Sequence, residues 1–132
     1  MIETSNPAGL HEPPGYHHVT VTDAPRTVFL AGQCPIDESG GLVGEGDLMA
    51  QIDQVAANIA VALAAAGATP RDVVRTVVYV VSTGPDELSA VWLRLRESPV
   101  AAALESASTL LGVAQLGYPG QRVEVDVTAA LD

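Results

Sequence analysis

The chain has 132 residues, nearly half of them apolar, with a formal net charge of −10 and one cysteine. This length suits a single domain whose core needs no metal or disulfide support, and one cysteine excludes an intrachain disulfide framework or a cysteine-based zinc cluster. All six basic residues are arginine, which excludes Schiff-base catalysis by lysine; because the arginines are scattered and outnumbered, binding to nucleic acid through phosphate contacts is disfavoured.

The N-terminal region is predicted to contain an arm and two strands. Residues 1–15 hold three prolines and little periodicity, which predicts an irregular arm. Tyr16–Val21 and Thr27–Ala31 have strand-like composition, and the turn-like segment Thr22–Pro25 separates them. We therefore predict that these two strands form a hairpin, followed by a brief strand at Leu42–Val43.

Asp47–Ala66 is predicted to be an amphipathic helix. Its apolar residues recur at spacings of three and four and form one stripe: Leu48, Ile52, Val55, Ile59, Leu63 and Ala66. Asp47 is a residue type that caps helix N-termini, and Gly67 stands where a left-handed residue commonly ends a helix.

The second half of the chain is predicted to contain three strands and a second helix. Asp72–Ser82 is β-branched and nearly all apolar, as expected of a strand covered on both faces. A helix is predicted to start at Gly84-Pro85, with the apolar stripe Leu88, Val91, Trp92 and Leu95. The remaining elements are a turn or short helix at Val100–Leu104 and strands at Thr109–Val113 and Arg122–Ala129.

This order of elements predicts one α+β domain over residues 1–132, a sandwich with two helices on one face of a mixed sheet. The other face of the sheet still carries apolar residues. In so small a chain this favours burial against another copy.

Several short segments, in this order and at this spacing, resemble one known family. They are Gly15-Tyr16, Phe29–Pro35 (similar to the family's "SGQ-x-P" turn), Gln51 with Asn58-Ile59, Ala65–Ala68, Asp72–Val74, Val78–Val80, Val113–Leu116 and Val123–Val127. The family is the Rid or YjgF family, also labelled endoribonuclease L-PSP, and the resemblance covers Tyr16 through Thr128.

The resemblance implies a chorismate-mutase-like homotrimer, with sheets around a central barrel, helices outside and three clefts between subunits. In the best-known branch it implies hydrolysis of reactive enamines and imines to ammonia and a 2-keto acid. It implies no metal and no organic cofactor.

Three positions depart from the polar site that the resemblance implies. The arginine that pairs with the substrate carboxylate in the deaminating branch aligns with Ser108, and a small hydroxyl does not replace a bidentate guanidinium. A cysteine two residues later is Leu110 here, and an asparagine of the second helix aligns with Trp92. A neutral or aromatic ligand therefore suits the cleft better than an amino-acid-derived imine.

Other positions match. Tyr16 aligns with a cleft tyrosine, Gly32 aligns with the glycine whose backbone borders the cleft, and Gln33 belongs to the same turn. Asp126 stands where the family often has a glutamate thought to position water, with one methylene less reach. We therefore name Asp126 and Tyr16 as candidate catalytic residues, and Gly32 and Gln33 as candidate substrate-binding residues.

Four further candidates each have a structural alternative. Ser108 and Thr109 either donate to a ligand or satisfy backbone at a strand edge, and Trp92 is either a ligand platform or helix core. His18 shares a strand face with Tyr16, so it is either a proton shuttle of the cleft or a partly exposed strand histidine. His11 is interpreted as a solvated residue of the arm, and Cys34 as an unreactive thiol rather than a nucleophile.

The leading hypothesis is a cytoplasmic homotrimer that binds a small metabolite in its inter-subunit clefts and hydrolyses an imine-like intermediate. Neither a signal peptide nor a membrane span is predicted, and one cysteine fits a reducing compartment. Two alternatives remain open: a non-catalytic ligand-binding or regulatory protein, and an endoribonuclease as the family label implies.

Overall fold

The computed structural model describes all 132 residues. The strands are β1 (Ile2–Ser5), β2 (Val19–Thr22), β3 (Arg26–Phe29), β4 (Val73–Val81), β5 (Ala107–Val113) and β6 (Val123–Leu131). The helices are α1 (Leu48–Ala65) and α2 (Pro85–Arg96), and short 3-10 turns occupy Pro70–Asp72 and Ala101–Glu105.

The main sheet has the order β3-β6-β4-β5, in which β4 and β5 run parallel and the other pairs antiparallel. Both helices pack on the same face of this mixed sheet. The predicted α+β sandwich is therefore confirmed. Its core joins one stripe from each helix to the inward residues of β4 and β6: Ile52, Val55, Ile59, Leu63, Val91, Leu95, Val78, Val80, Val123, Val125 and Val127.

The two ends of α1 follow the residues predicted for them. The Asp47 carboxylate accepts a hydrogen bond from the Ala50 backbone N–H at 3.1 Å, and Gly67 adopts a φ of +77° just beyond the helix. α1 is long and apolar enough to pass a length-and-composition test for a membrane span. Since its stripe from Leu48 to Leu63 lies in the core, and only Ala66 at its end does not, it is explained as the core helix of the domain.

Two expectations about the N-terminal region are wrong. The arm predicted as irregular over 1–15 contains β1, which pairs antiparallel with β2 from Ile2 opposite Thr22 to Ser5 opposite Val19. The predicted hairpin does not form, because β2 pairs with β1 while β3 pairs with β6. Residues 6–15 are outside regular structure, as predicted.

The second face of the main sheet is only half covered within one chain. Along β6 and β4 the residues alternate between buried and half-buried, so that Val125 and Val78 lie in the core while Asp126, Val77 and Tyr79 face outward. The strand predicted at Asp72–Ser82, which was expected to be covered on both faces, is therefore covered on only one face within a single chain.

The side chain of Gln51, a residue of α1, links the loops at one end of the sandwich by hydrogen bonds. This side chain is fully buried, its Nε2 donates to the carbonyls of Gly44 and Gly120 at 3.0 Å, and its Oε1 accepts from the Arg122 N–H at 2.8 Å. Every hydrogen-bonding direction of this amide except one is used, as a buried polar group requires.

Candidate functional site

A cavity of about 330 Å³ lies where α2, β5 and the arm meet. It is mostly apolar and has no charged side chain in its lining, which consists of Pro14, Tyr16, Ser89, Trp92, Leu93, Ser108 and Leu110. Leu93 is 56% exposed, so the cavity opens to the surface beside α2. Three of the predicted site residues, Tyr16, Trp92 and Ser108, meet here.

Trp92 fixes the arm against α2 and forms part of the cavity wall. Its Nε1 donates to the Pro14 carbonyl at 2.9 Å, and its ring lies edge-on to Tyr16 with centroids 6.0 Å apart. Trp92 is also only 7% exposed and belongs to the core cluster, so it packs as helix core while one part of its ring faces the cavity. An indole with its N–H satisfied presents an apolar surface to a ligand.

The hydroxyl of Ser108 is engaged by its own chain. It accepts a hydrogen bond from Thr76 Oγ1 at 2.6 Å, and its single proton is directed at the carbonyls of Ser106 (3.0 Å) and Leu104 (3.3 Å). With its proton engaged, Ser108 has no donor left for a ligand carboxylate. Leu110, two residues along the same face of β5, adds apolar surface instead.

Thr109 is not part of this cavity. Strand alternation places it on the opposite face of β5, level with Val77, where it is exposed and lies 3.5 Å from Arg75 Nη2. Its side chain therefore neither lines the cavity nor bonds to strand-edge backbone, and accepts from Arg75 instead.

The Tyr16 end of the cavity carries two histidines. The Tyr16 hydroxyl lies 3.1 Å from His11 Nε2, and His18 Nε2 lies 2.7 Å from the His11 carbonyl. The rings of His11 and His18 meet edge to face at 4.7 Å. His18 thus sits beside the cavity without lining it, and His11, predicted to be merely solvated, is exposed yet bonded to the site.

Asp126 and Gly32 lie on the other side of the sheet from this cavity. Asp126 faces outward on β6 opposite Val77, and its side-chain carboxylate makes no hydrogen bond within the chain. Gly32 precedes Gln33, whose backbone pairs with Val125 of β6 and whose side-chain Nε2 donates to the Ala31 carbonyl. One chain therefore does not bring the two halves of the predicted site together.

A carboxylate occupies the space beside Gly32. A Cβ at this position would lie 2.2 Å from Glu124 Oε2, and the other oxygen of Glu124 accepts from Cys34 Sγ and Gln121 Nε2, each at 3.2 Å. Burial, with the Glu124 carboxylate as the second cause, raises the pKa of the Cys34 thiol to about 11. Because the thiolate is the nucleophile, this supports the interpretation of Cys34 as unreactive.

No group of three or more His, Cys, Asp or Glu side chains is close enough to hold a metal ion. His17 and His18, adjacent on one strand, point to different partners, the Glu105 and His11 carbonyls.

Comparison with known proteins covers nearly the whole chain. Residues 10–131 match the family model described as Endoribonuclease L-PSP. Protein DfrA of Myxococcus xanthus is 30% identical over 116 residues, which cover 86% of this chain and 83% of that protein. A RutC family protein of Pyrococcus abyssi is 44% identical over 52 residues, but this stretch spans only 41% of that protein.

Two solved structures show the same fold. The Yersinia pestis protein YyfB, described as a conserved Rid family protein of unknown function, superposes with a TM-score of 0.90 at 36% identity, covering 98% of each chain. A protein of Thermotoga maritima described as a putative endoribonuclease superposes with a TM-score of 0.70 at 26% identity, covering 98% of this chain and 93% of the other.

Proposed function

The chain belongs to the endoribonuclease L-PSP family, known also as the Rid or YjgF family, and from that membership we propose that it is a cytoplasmic homotrimer hydrolysing a small imine that lacks a carboxylate. Water adds to the carbon of the C=N bond, and the C–N bond of the adduct then breaks. The oxygen of water becomes the carbonyl oxygen, and nitrogen leaves as ammonia with both hydrogens of that water.

The observation that carries the substrate class is the charge-free lining of the cavity. A carboxylate moved out of water into an apolar site needs a cation or several donors, and no arginine lines this cavity. The Ser108 proton is directed at backbone carbonyls. Pro14, Trp92, Leu93 and Leu110 provide apolar surface, which favours an aromatic or branched aliphatic ligand.

The half-covered face of the sheet supports the trimer. Val77 and Tyr79 on β4, and Leu111 and Val113 on β5, share this face and are partly exposed in a single chain. Packing three such faces together would bury them and bring Asp126 of one copy towards a cavity formed by the next. There its unpaired carboxylate could hold the attacking water. A mass in solution near three times 13.6 kDa supports this, and a monomer at all concentrations contradicts it.

The activity is tested with two imines that differ only in a methyl group and a carboxylate. A flavin amine oxidase acting on 1-phenylethylamine generates acetophenone imine, and an amino-acid oxidase acting on 2-phenylglycine generates phenylglyoxylate imine. Semicarbazide competes with the protein for each imine, so faster hydrolysis lowers the yield of semicarbazone. From the loss of semicarbazone we calculate the rate of hydrolysis by the protein. We expect this rate to be at least tenfold higher for acetophenone imine than for phenylglyoxylate imine. Equal or reversed preference contradicts the proposal.

A non-catalytic binding protein would show occupancy without turnover. Trp92 is the only tryptophan of the chain and lies in the cavity wall, so its fluorescence reports acetophenone binding directly. If acetophenone quenches the fluorescence of Trp92 and neither imine is hydrolysed, the protein binds a ligand without catalysis. The proposal of an enzyme would then give way to that of a ligand sensor. The net charge of −10 argues against the endoribonuclease activity in the family label, and cleavage of a single-stranded RNA substrate would reverse that judgement.

A further inference from the structure

His11 is the one polar side chain bonded to the Tyr16 hydroxyl. Its Nε2 lies 3.1 Å from Tyr16 Oη, and the two rings meet edge to face with centroids 6.5 Å apart. His11 comes from the segment between β1 and β2, so a residue outside both layers of the sandwich reaches the group that the cavity exposes.

The backbone of His11 is itself held in place by the next strand. The His18 ring must donate its Nε2 proton to the His11 carbonyl, since a carbonyl only accepts. The His18 backbone N–H also donates to Asn6 Oδ1 at 3.0 Å. Two hydrogen bonds from one residue therefore fix the arm at Asn6 and at His11 itself.

Hydrogen bonds allow two arrangements between His11 and Tyr16. If His11 Nε2 carries a proton, it donates to Tyr16 Oη and leaves the phenol proton free to point into the cavity. If the proton is on Nδ1, the phenol must donate to His11 and has nothing to offer a ligand. Only the first arrangement makes Tyr16 a donor to the nitrogen of a bound imine.

We propose that His11 is a positioning residue that donates to Tyr16 Oη and so turns the phenol proton towards the ligand. The inference rests on the proposed function, because it assigns Tyr16 as the hydrogen-bond donor to the imine nitrogen. It gives the arm a role in the site: the loop between β1 and β2 sets the direction of that donor.

The first test needs no substrate. In the neutral pH range, nitrogen-15 NMR of the histidine rings should show the proton of His11 on Nε2, and Tyr16→Phe should shift the His11 Nε2 resonance and leave that of His17 unchanged. His17 is the matched control because it is Tyr16's chain neighbour, yet its Nδ1 bonds the Glu105 carbonyl and not the Tyr16 hydroxyl. A His11 proton on Nδ1, or a resonance insensitive to Tyr16→Phe, overturns the proposal whether or not the protein hydrolyses imines.

The second test separates positioning from folding. With acetophenone imine, His11→Leu should lower kcat at least tenfold with KM changed less than threefold, whereas His11→Gln, which keeps an N–H donor, should recover most of the rate. His17→Leu should retain the wild-type rate. Equal rates for wild type and His11→Leu, or equal losses in His11→Leu and His11→Gln, overturn the positioning role. If wild type hydrolyses neither imine, the NMR result still decides the arrangement.

Discussion

Thr76 Oγ1 donates a hydrogen bond of 2.6 Å to Ser108 Oγ across the parallel pair β4–β5, and Thr76 is completely buried. Ser108, which the family resemblance predicts to stand at the position of a carboxylate-binding arginine, therefore has a structural task in this chain. Its hydroxyl links two neighbouring strands.

Ser108→Ala should lower stability without changing ligand binding. Thr76 loses its acceptor, and an unsatisfied buried hydroxyl costs about 1–3 kcal/mol. Chemical denaturation should show a loss of this size, while quenching of Trp92 by acetophenone should keep its midpoint. A weaker affinity with unchanged stability would mean that the Ser108 hydroxyl serves the ligand instead.

Ser108→Arg should shift the preference towards the carboxylate-bearing imine. A guanidinium on this face of β5 would enter the cavity beside Leu110 and could pair with the carboxylate of phenylglyoxylate imine. We expect at least a tenfold increase in hydrolysis of that imine relative to Ser108→Met, which has an unbranched, uncharged side chain. Similar rates for the two variants would show that position 108 does not set the specificity.

Gln51→Leu should destabilise the protein far more than Gln54→Leu on the same helix. Gln51 makes three hydrogen bonds from a fully buried position, and its loss leaves two carbonyls and one N–H unpaired, which together cost about 3 kcal/mol or more. Gln54 makes one bond, to Asn58 Oδ1, so its loss should cost about 1 kcal/mol. Denaturant titration of both variants measures the difference in the free energy of unfolding. Equal losses in the two variants would show that the buried hydrogen bonds of Gln51 do not stabilise the fold.

Cys34 should react slowly with iodoacetamide. With a pKa of about 11, its thiolate fraction at pH 8 is roughly 200-fold lower than in the unfolded chain, and so is the expected rate. Glu124→Gln should speed the reaction only in part, because burial, the largest single cause of the raised pKa, remains. Alkylation at the unfolded rate would contradict this.

The raised pKa of Cys34 also predicts how the stability of the protein changes with pH. The folded state holds the Cys34 proton more tightly than the unfolded state does, so this contribution is fully present below the unfolded pKa, near pH 8.5. It is lost as pH rises from there towards 11. Cys34→Ser should lose less stability than wild type over this alkaline range, and parallel pH curves for the two proteins would show that the thiol does not contribute.

Local signals in the sequence predicted the elements, and contacts distant in sequence decided the pairings. The stripe of α1 and its ends at Asp47 and Gly67 depend on residues within a few turns of one another, and the helix formed as expected. The segment Thr22–Pro25 does separate two strands, but these strands pair with other partners. Residue composition indicates that a segment forms a strand but does not indicate which strand it pairs with. The predicted hairpin was therefore wrong.

The grouping of the candidate residues followed from the sequence only in part. Tyr16, Trp92 and Ser108 line one cavity, while Asp126 and Gly32 lie on the other side of the sheet. His11 was missed because nothing in its proline-flanked segment shows periodicity, and its only signal was a position five residues before Tyr16. The engagement of Ser108 by Thr76 also escaped prediction, since it requires the register of β4 against β5.

The glycine at position 32 has an explanation within one chain. Any larger residue would push the Glu124 carboxylate aside and so disturb Cys34 and Gln121, which both bond to it. The glycine here provides room for an acidic neighbour before any metabolite is considered. A glycine at this position in a related protein therefore indicates that its acidic neighbour needs space. It does not by itself identify a catalytic or substrate-binding site.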